Sequence, residues 1–193
     1  MAGVLAPLVW LLTLAPLVEG DVAPAGLDVV TLDGRRARIE LRDQVTVIEF
    51  FATWCPRCRE SVAGYRKLAA EYGDRVRFVI IDVEEPSAAV ARFFAKQRLS
   101  GILIVRDPDG RVIAAFGPKS YPSSLLIDAT GIVRDVSRGW GAESTAELAE
   151  SIEKVLRKPK ARPVVEKKKR APAPPPPKSS DDHARDLGVE VLR

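Results

Sequence analysis

The sequence predicts an α/β protein: a three-layer sandwich with a mixed central sheet and helices on both faces. Three observations predict it. VTVIEFF at 45–51 reads as a buried strand, and an amphipathic stretch follows at once, with Val62, Tyr65, Leu68, Ala69 and Tyr72 at helical spacing. VRFVIIDV at 76–83 is an almost uninterrupted apolar run, the pattern of a strand covered on both faces. Later, SSLLID (123–128) and IVRDVSRG (132–139) flank the turn Ala129-Thr130-Gly131 and read as an antiparallel hairpin. A βαβ half followed by a ββα half requires parallel and antiparallel strands in one sheet. No internal repeat is evident.

Taken in order, residues 27–41 suggest a first hairpin, LDVVTL and ARIEL around Asp33-Gly34. The strand at 45–51 leads into a helix over about 56–72, with Gly73 suited to its C-terminus. After the strand at 76–83, Pro86 fits the first turn of another helix, in which Val90, Phe93, Phe94 and Gln97 share a face. ILIVRD (102–107) is a further strand, ended by Asp107-Pro108-Asp109-Gly110. RVIAAFG (111–117) suits a strand and a short helix equally. The second hairpin is followed by Ser144-Thr145-Ala146-Glu147, which matches a capping box, and by a last helix with Leu148, Ile152, Val155 and Leu156 inward.

Both cysteines of the chain, Cys55 and Cys58, stand where the strand gives way to the helix. Residues three apart share a helix face, so this pair can close a disulfide without distorting the backbone. Cys55 also falls where unpaired N–H groups and the positive end of the helix dipole favour a thiolate, the attacking species in disulfide exchange. Zinc needs about three or four ligands, and the single histidine, His183, belongs to a polar tail. No metal and no added cofactor is expected; the redox group is the Cys55–Cys58 disulfide itself.

The ends differ from the middle. Val4–Val18 is apolar apart from Thr13, too short to span a bilayer and suited to a signal peptide over residues 1–20, cleaved after Gly20 or after Ala25. No Lys or Arg precedes it, which leaves an uncleaved, membrane-tethering anchor as the alternative. The expected address is exported, in the periplasm or cell envelope, where disulfides persist. Residues 27–156 form the predicted domain, and 159–193 a disordered Lys/Pro-rich tail. Of 30 basic and 26 acidic residues, 11 and 5 fall in Arg157–Arg193, leaving 19 and 21 elsewhere. The basic charge therefore belongs to the tail, whose two readings are a solvated spacer and contact with an anionic surface; nucleic acid is not an expected partner.

The motifs together resemble the thioredoxin superfamily, and within it the exported TlpA/ResA-type thiol–disulfide oxidoreductases. FFATWCPRC is similar to the strand–Trp-Cys-x-x-Cys–helix signature, ILIVRDPDGRVIAAFG to the segment inserted in this branch, and YPSSLLIDATGIV to its proline followed by a strand–Asp–x–x–Gly hairpin. The resemblance covers residues 27–156. It implies that Cys55 attacks, that Cys58 resolves, and that Glu49, six residues before Cys55, is a buried acid relaying a proton to or from Cys58. It also implies a cis Pro122 opposite the disulfide, with the Tyr121 backbone left to pair with an extended substrate.

Trp54 and the intervening pair Pro56-Arg57 complete the expected substrate surface. The Arg57 cation should stabilise the Cys55 thiolate and make the couple more oxidising. Many relatives carry an acid three residues after the second cysteine; here that residue is Ser61. The lysine that often pairs with the buried acid is missing from VRFVIID, a setting that favours neutral Glu49. The implied partners are proteins with disulfides or thiols and a membrane thiol reductase. The implied role is reduction, including during cytochrome c assembly. Two other functions compete: a thiol peroxidase, which needs Thr or Ser where Ala52 stands, and a non-catalytic binding module on the same fold.

Overall fold

The computed structural model describes residues 15–83, 86–97 and 99–157. Residues 1–14, most of the expected signal peptide or anchor (1–20), and residues 158–193, which hold the expected tail (159–193), lie outside the described residues. The chain forms β1 (Gly26–Thr31), β2 (Arg36–Glu40), β3 (Val45–Phe51), α1 (Pro56–Tyr72), a 3-10 turn (Gly73–Arg75) and β4 (Val76–Asp82). It continues through α2 (Ser87–Phe94), β5 (Ile102–Arg106), α3 (Arg111–Phe116), β6 (Ser123–Ile127), β7 (Val133–Arg138) and α4 (Ser144–Arg157).

The seven strands form one sheet in the order β2-β1-β5-β4-β3-β6-β7. β3 pairs with β4, and β4 with β5, in parallel; β1 against β5, β3 against β6 and both hairpins are antiparallel. This is the predicted mixed sandwich. β3 lies inside the sheet and every one of its residues is buried, as its apolar run requires. Its side chains alternate: Glu49 faces α1, where Ser61 meets it, while Phe50 faces the opposite layer and packs on Phe116 of α3, ring centroids 5.7 Å apart. α1 and α4 pack against each other. Gly64 allows this, because a Cβ there would stand 2.4 Å from the Trp140 ring and 2.6 Å from Thr145 Oγ1.

Several details differ from the sequence expectations. Pro86 is the residue before α2, extended at ψ 134°, and the helix ends at Phe94, short of Gln97. The ambiguous segment 111–117 is helical. Asp107 fixes it by accepting the Ile113 N–H at 2.8 Å, and left-handed Gly110 and Gly117 bracket it. At α4 the capping box does not form, because the helix starts one residue earlier. Glu143 O accepts from Glu147 N, and Ser144 Oγ turns back to accept the Gly141 N–H at 2.9 Å.

The segment before β1 is tied to the sheet. Gly20 N–H donates to Val133 O, Val133 N–H to Asp21 O, and Ala23 N–H to Gly131 O, each at 2.9 Å. Arg42 Nη2 adds a bond to Ala23 O at 2.9 Å, and Ala23 is buried. In the second hairpin Asp128 Oδ1 accepts from Thr130 N (2.8 Å) and Ile132 N (3.1 Å), the physical reason for Asp in that turn.

Candidate active site

Cys55 is the N-cap of α1, extended at φ −81° and ψ 118°, with Pro56 in the first helical position, where the missing proline N–H costs nothing. Its sulfur accepts the Cys58 N–H at 3.4 Å, as an N-cap side chain does. Both cysteines are thiols. They differ in access: Cys55 keeps 6% of its surface and Cys58 none. Burial pushes the Cys58 thiol well above the ordinary cysteine range, helped by the contact with Cys55 and the nearby carboxyl of Glu49.

The loop before β6 supplies the other wall. Tyr121-Pro122 is a cis peptide, and the Cys55 thiol points at Tyr121 O, 3.5 Å away. The Trp54 ring stands edge-on to Tyr121, centroids 6.3 Å apart, and is 65% exposed, so an aromatic ledge lies next to the sulfur. Arg57 is exposed, and its Nη1 donates to Glu60 Oε2 at 3.1 Å; that acid offsets the charge expected to act on Cys55.

Behind Cys58 is a polar pocket closed to solvent. Glu49 is fully buried in the middle of β3, paired in register with Ile80 of β4 on one side and Ser124 of β6 on the other. Burial pushes its carboxyl up to about 8, against the opposite pull of the Ser61 and Tyr65 hydroxyls. Ser61 Oγ lies 2.5 Å from Glu49 Oε1 and 2.7 Å from Cys58 O. The Tyr65 hydroxyl is buried beside the same carboxyl but outside hydrogen-bond geometry, and Glu49 Oε2 likewise has no hydrogen-bond partner among the described residues.

The structure thus brings Cys55, Cys58, Glu49, Trp54, Pro56, Tyr121 and Pro122 to one end of the sheet, with Arg57 on the adjoining surface. Sequence reasoning missed two contributors. Ser61 registered only as the residue replacing an acid, and Tyr65 only as an inward aromatic. Their spacing from Cys58, three and seven residues along α1, was the available signal.

The AhpC/TSA family model matches residues 20–136. The thioredoxin-like protein YneN of Bacillus subtilis is 29% identical over 124 residues, covering 63% of this chain and 72% of that protein. The thiol-disulfide oxidoreductase ResA of Halalkalibacterium halodurans is 30% identical over 109 residues, 56% of this chain and 61% of its own. Among solved structures, a putative thiol:disulfide interchange protein DsbE from Chlorobium tepidum superposes with a TM-score of 0.66 at 25% identity, covering 72% of this chain and 99% of that one. The chain belongs to the AhpC/TSA family and has its thioredoxin-like fold.

Proposed function

We propose that this protein is a thiol–disulfide oxidoreductase acting on cysteines of other proteins, working as a reductase in an exported compartment. The observation that carries the proposal is the asymmetry of the pair: a helix-capping Cys55 that keeps a small exposed edge beside an aromatic ledge, and a Cys58 sealed behind it. Cys55 thiolate attacks a substrate disulfide and the departing sulfur leaves as thiolate, giving a mixed disulfide. Cys58 then loses its proton to Glu49 and attacks the Cys55 sulfur. The bond to substrate breaks, the second substrate sulfur leaves, and the Cys55–Cys58 disulfide closes. Substrate is reduced by two electrons and the protein oxidised by two. The couple needs no added cofactor, and a membrane thiol reductase is the fitting electron source.

The substrate chain is proposed to lie against Tyr121, with Trp54 and the Pro56-Arg57 corner flanking it. Relatives named thiol-disulfide oxidoreductase ResA and thiol:disulfide interchange protein DsbE support the exchange chemistry; the exported setting and a cytochrome-assembly role belong to the same proposal. No described helix is long and apolar enough to cross a membrane. A peroxidase reading is not favoured, because the buried residue three before Cys55 is Ala52, which offers no hydroxyl to a peroxide. Turnover of insulin disulfides with dithiothreitol as electron source tests the proposal. The native protein should accelerate precipitation and Cys55→Ser should not; equal rates would refute it.

A further inference from the structure

Ser61 has one hydroxyl hydrogen and two close oxygen partners, Glu49 Oε1 at 2.5 Å and Cys58 O at 2.7 Å. A carbonyl oxygen can only accept, and so can an ionised carboxylate. With Glu49 ionised, one of these two contacts would therefore hold no hydrogen. With Glu49 protonated both are filled: Glu49 donates to Ser61 Oγ, and Ser61 donates to Cys58 O. We infer that Ser61 is a positioning residue whose hydroxyl turns between Cys58 O and Glu49, supplying the donor that lets Glu49 hold a negative charge while Cys58 is deprotonated.

The surroundings give Ser61 the larger part of this task, ahead of Tyr65. The titratable groups facing Glu49 are Cys58 and Tyr65, both on α1, and burial pushes both upward. Its register neighbours across the sheet are Ile80 and Ser124, neither charged. No lysine or arginine faces it among the described residues; Ser61 bonds its Oε1, and the Tyr65 hydroxyl beside the carboxyl, which makes no bond of good geometry, pulls the same way more weakly. When Cys58 gives its proton to the carboxylate, the acid regains an O–H, Ser61 swings back to Cys58 O, and the new thiolate attacks the Cys55 sulfur. The proton count closes only if Glu49 has first released its own proton to bulk water, since only the carboxylate can take the proton of Cys58.

This inference rests on the exchange reaction proposed above, and the experiment separates the two. Reduced full-length proteins are mixed with glutathione disulfide from about pH 6 to about pH 10 and acid-quenched, and the rate of Cys55–Cys58 closure is read by mass. Ser61→Ala should shift the closure inflection about one pH unit to the alkaline side, since a donor to a charged group has been removed. Ser61→Thr should restore the native position. In a Glu49→Gln background, Ser61→Ala should shift nothing. Closure with the native inflection in Ser61→Ala would overturn the role of Ser61 and leave the function standing; so would an equal shift in the Glu49→Gln background. A native protein that never closes the pair would sink the function itself, and this inference with it.

Discussion

The Cys55 sulfur and the Tyr121 carbonyl oxygen stand 3.5 Å apart, although 66 residues separate them in the chain. One sits where β3 hands over to α1, the other just ahead of β6, and β3 and β6 are neighbours in the sheet. The register that pairs Phe50 with Ser123 brings the two loops together. Because Pro122 has no N–H, the backbone here presents an acceptor to the sulfur.

Trp54 packs on Tyr121 from outside, so its energy should go into substrate contact rather than folding. Trp54→Ala should change stability by less than about 1 kcal/mol, as for an exposed side chain. It should slow reduction of insulin several-fold while leaving reduction of a small aromatic disulfide nearly unchanged. Parallel assays with both substrates check the split.

The difference in access predicts selective labelling. Iodoacetamide at neutral pH should modify Cys55 first and leave Cys58 unreacted, because Cys58 is sealed and its thiol is held protonated by burial. Peptide mapping after a short exposure reads this directly; faster modification of Cys58 would contradict it.

Glu49 makes stability depend on pH. Its folded carboxyl is raised to about 8 from 4.5, so the unfolded chain gives up this proton first as pH climbs. The favourable contribution is complete below the unfolded value and disappears as pH approaches 8, with a slope of at most ~1.4 kcal/mol per pH unit. Glu49→Gln keeps the shape and cannot ionise. Urea midpoints of native and variant should therefore diverge from pH 5 to about pH 8, with the variant gaining, and then run parallel.

The central fold was legible because the apolar period changes from strand to helix right at the cysteines, which fixes β3, α1 and the place of the redox pair. α3 was not legible, since the six residues of RVIAAF satisfy both periods; the acid four residues ahead of it, Asp107, decides. The pocket behind Cys58 was half legible. Glu49 stands out as a charge in an apolar strand, but Ser61 and Tyr65 resemble ordinary helix residues until the sheet register sets them against it. The segment 17–23 reads as the end of a leader, and only its backbone bonds to β7 and α3 reveal that it is part of the domain.

That segment has a measurable weight. A chain beginning at Asp21 keeps the bonds through Asp21 and Ala23, whereas one beginning at Gly26 loses them together with buried Ala23. The shorter protein should be less stable by about 1–3 kcal/mol, at roughly 1 kcal/mol for each backbone bond lost. Thermal midpoints of the two truncated chains would show it.

Even a methyl at Gly64 should destabilise the fold. Gly64→Ala gains up to about 1 kcal/mol of helix propensity, yet its methyl would press on Trp140 and Thr145 at 2.4 and 2.6 Å. The clash should win by about 1–3 kcal/mol, visible as a lower melting temperature.

The most direct test is equilibration of the whole protein in graded mixtures of reduced and oxidised glutathione, with acid quench and intact mass. Cys55 and Cys58 should pass together, reversibly, from dithiol to an internal disulfide as a single two-electron couple. A pair that stays reduced throughout, or that collects glutathione on Cys55 without ever closing, would contradict the account.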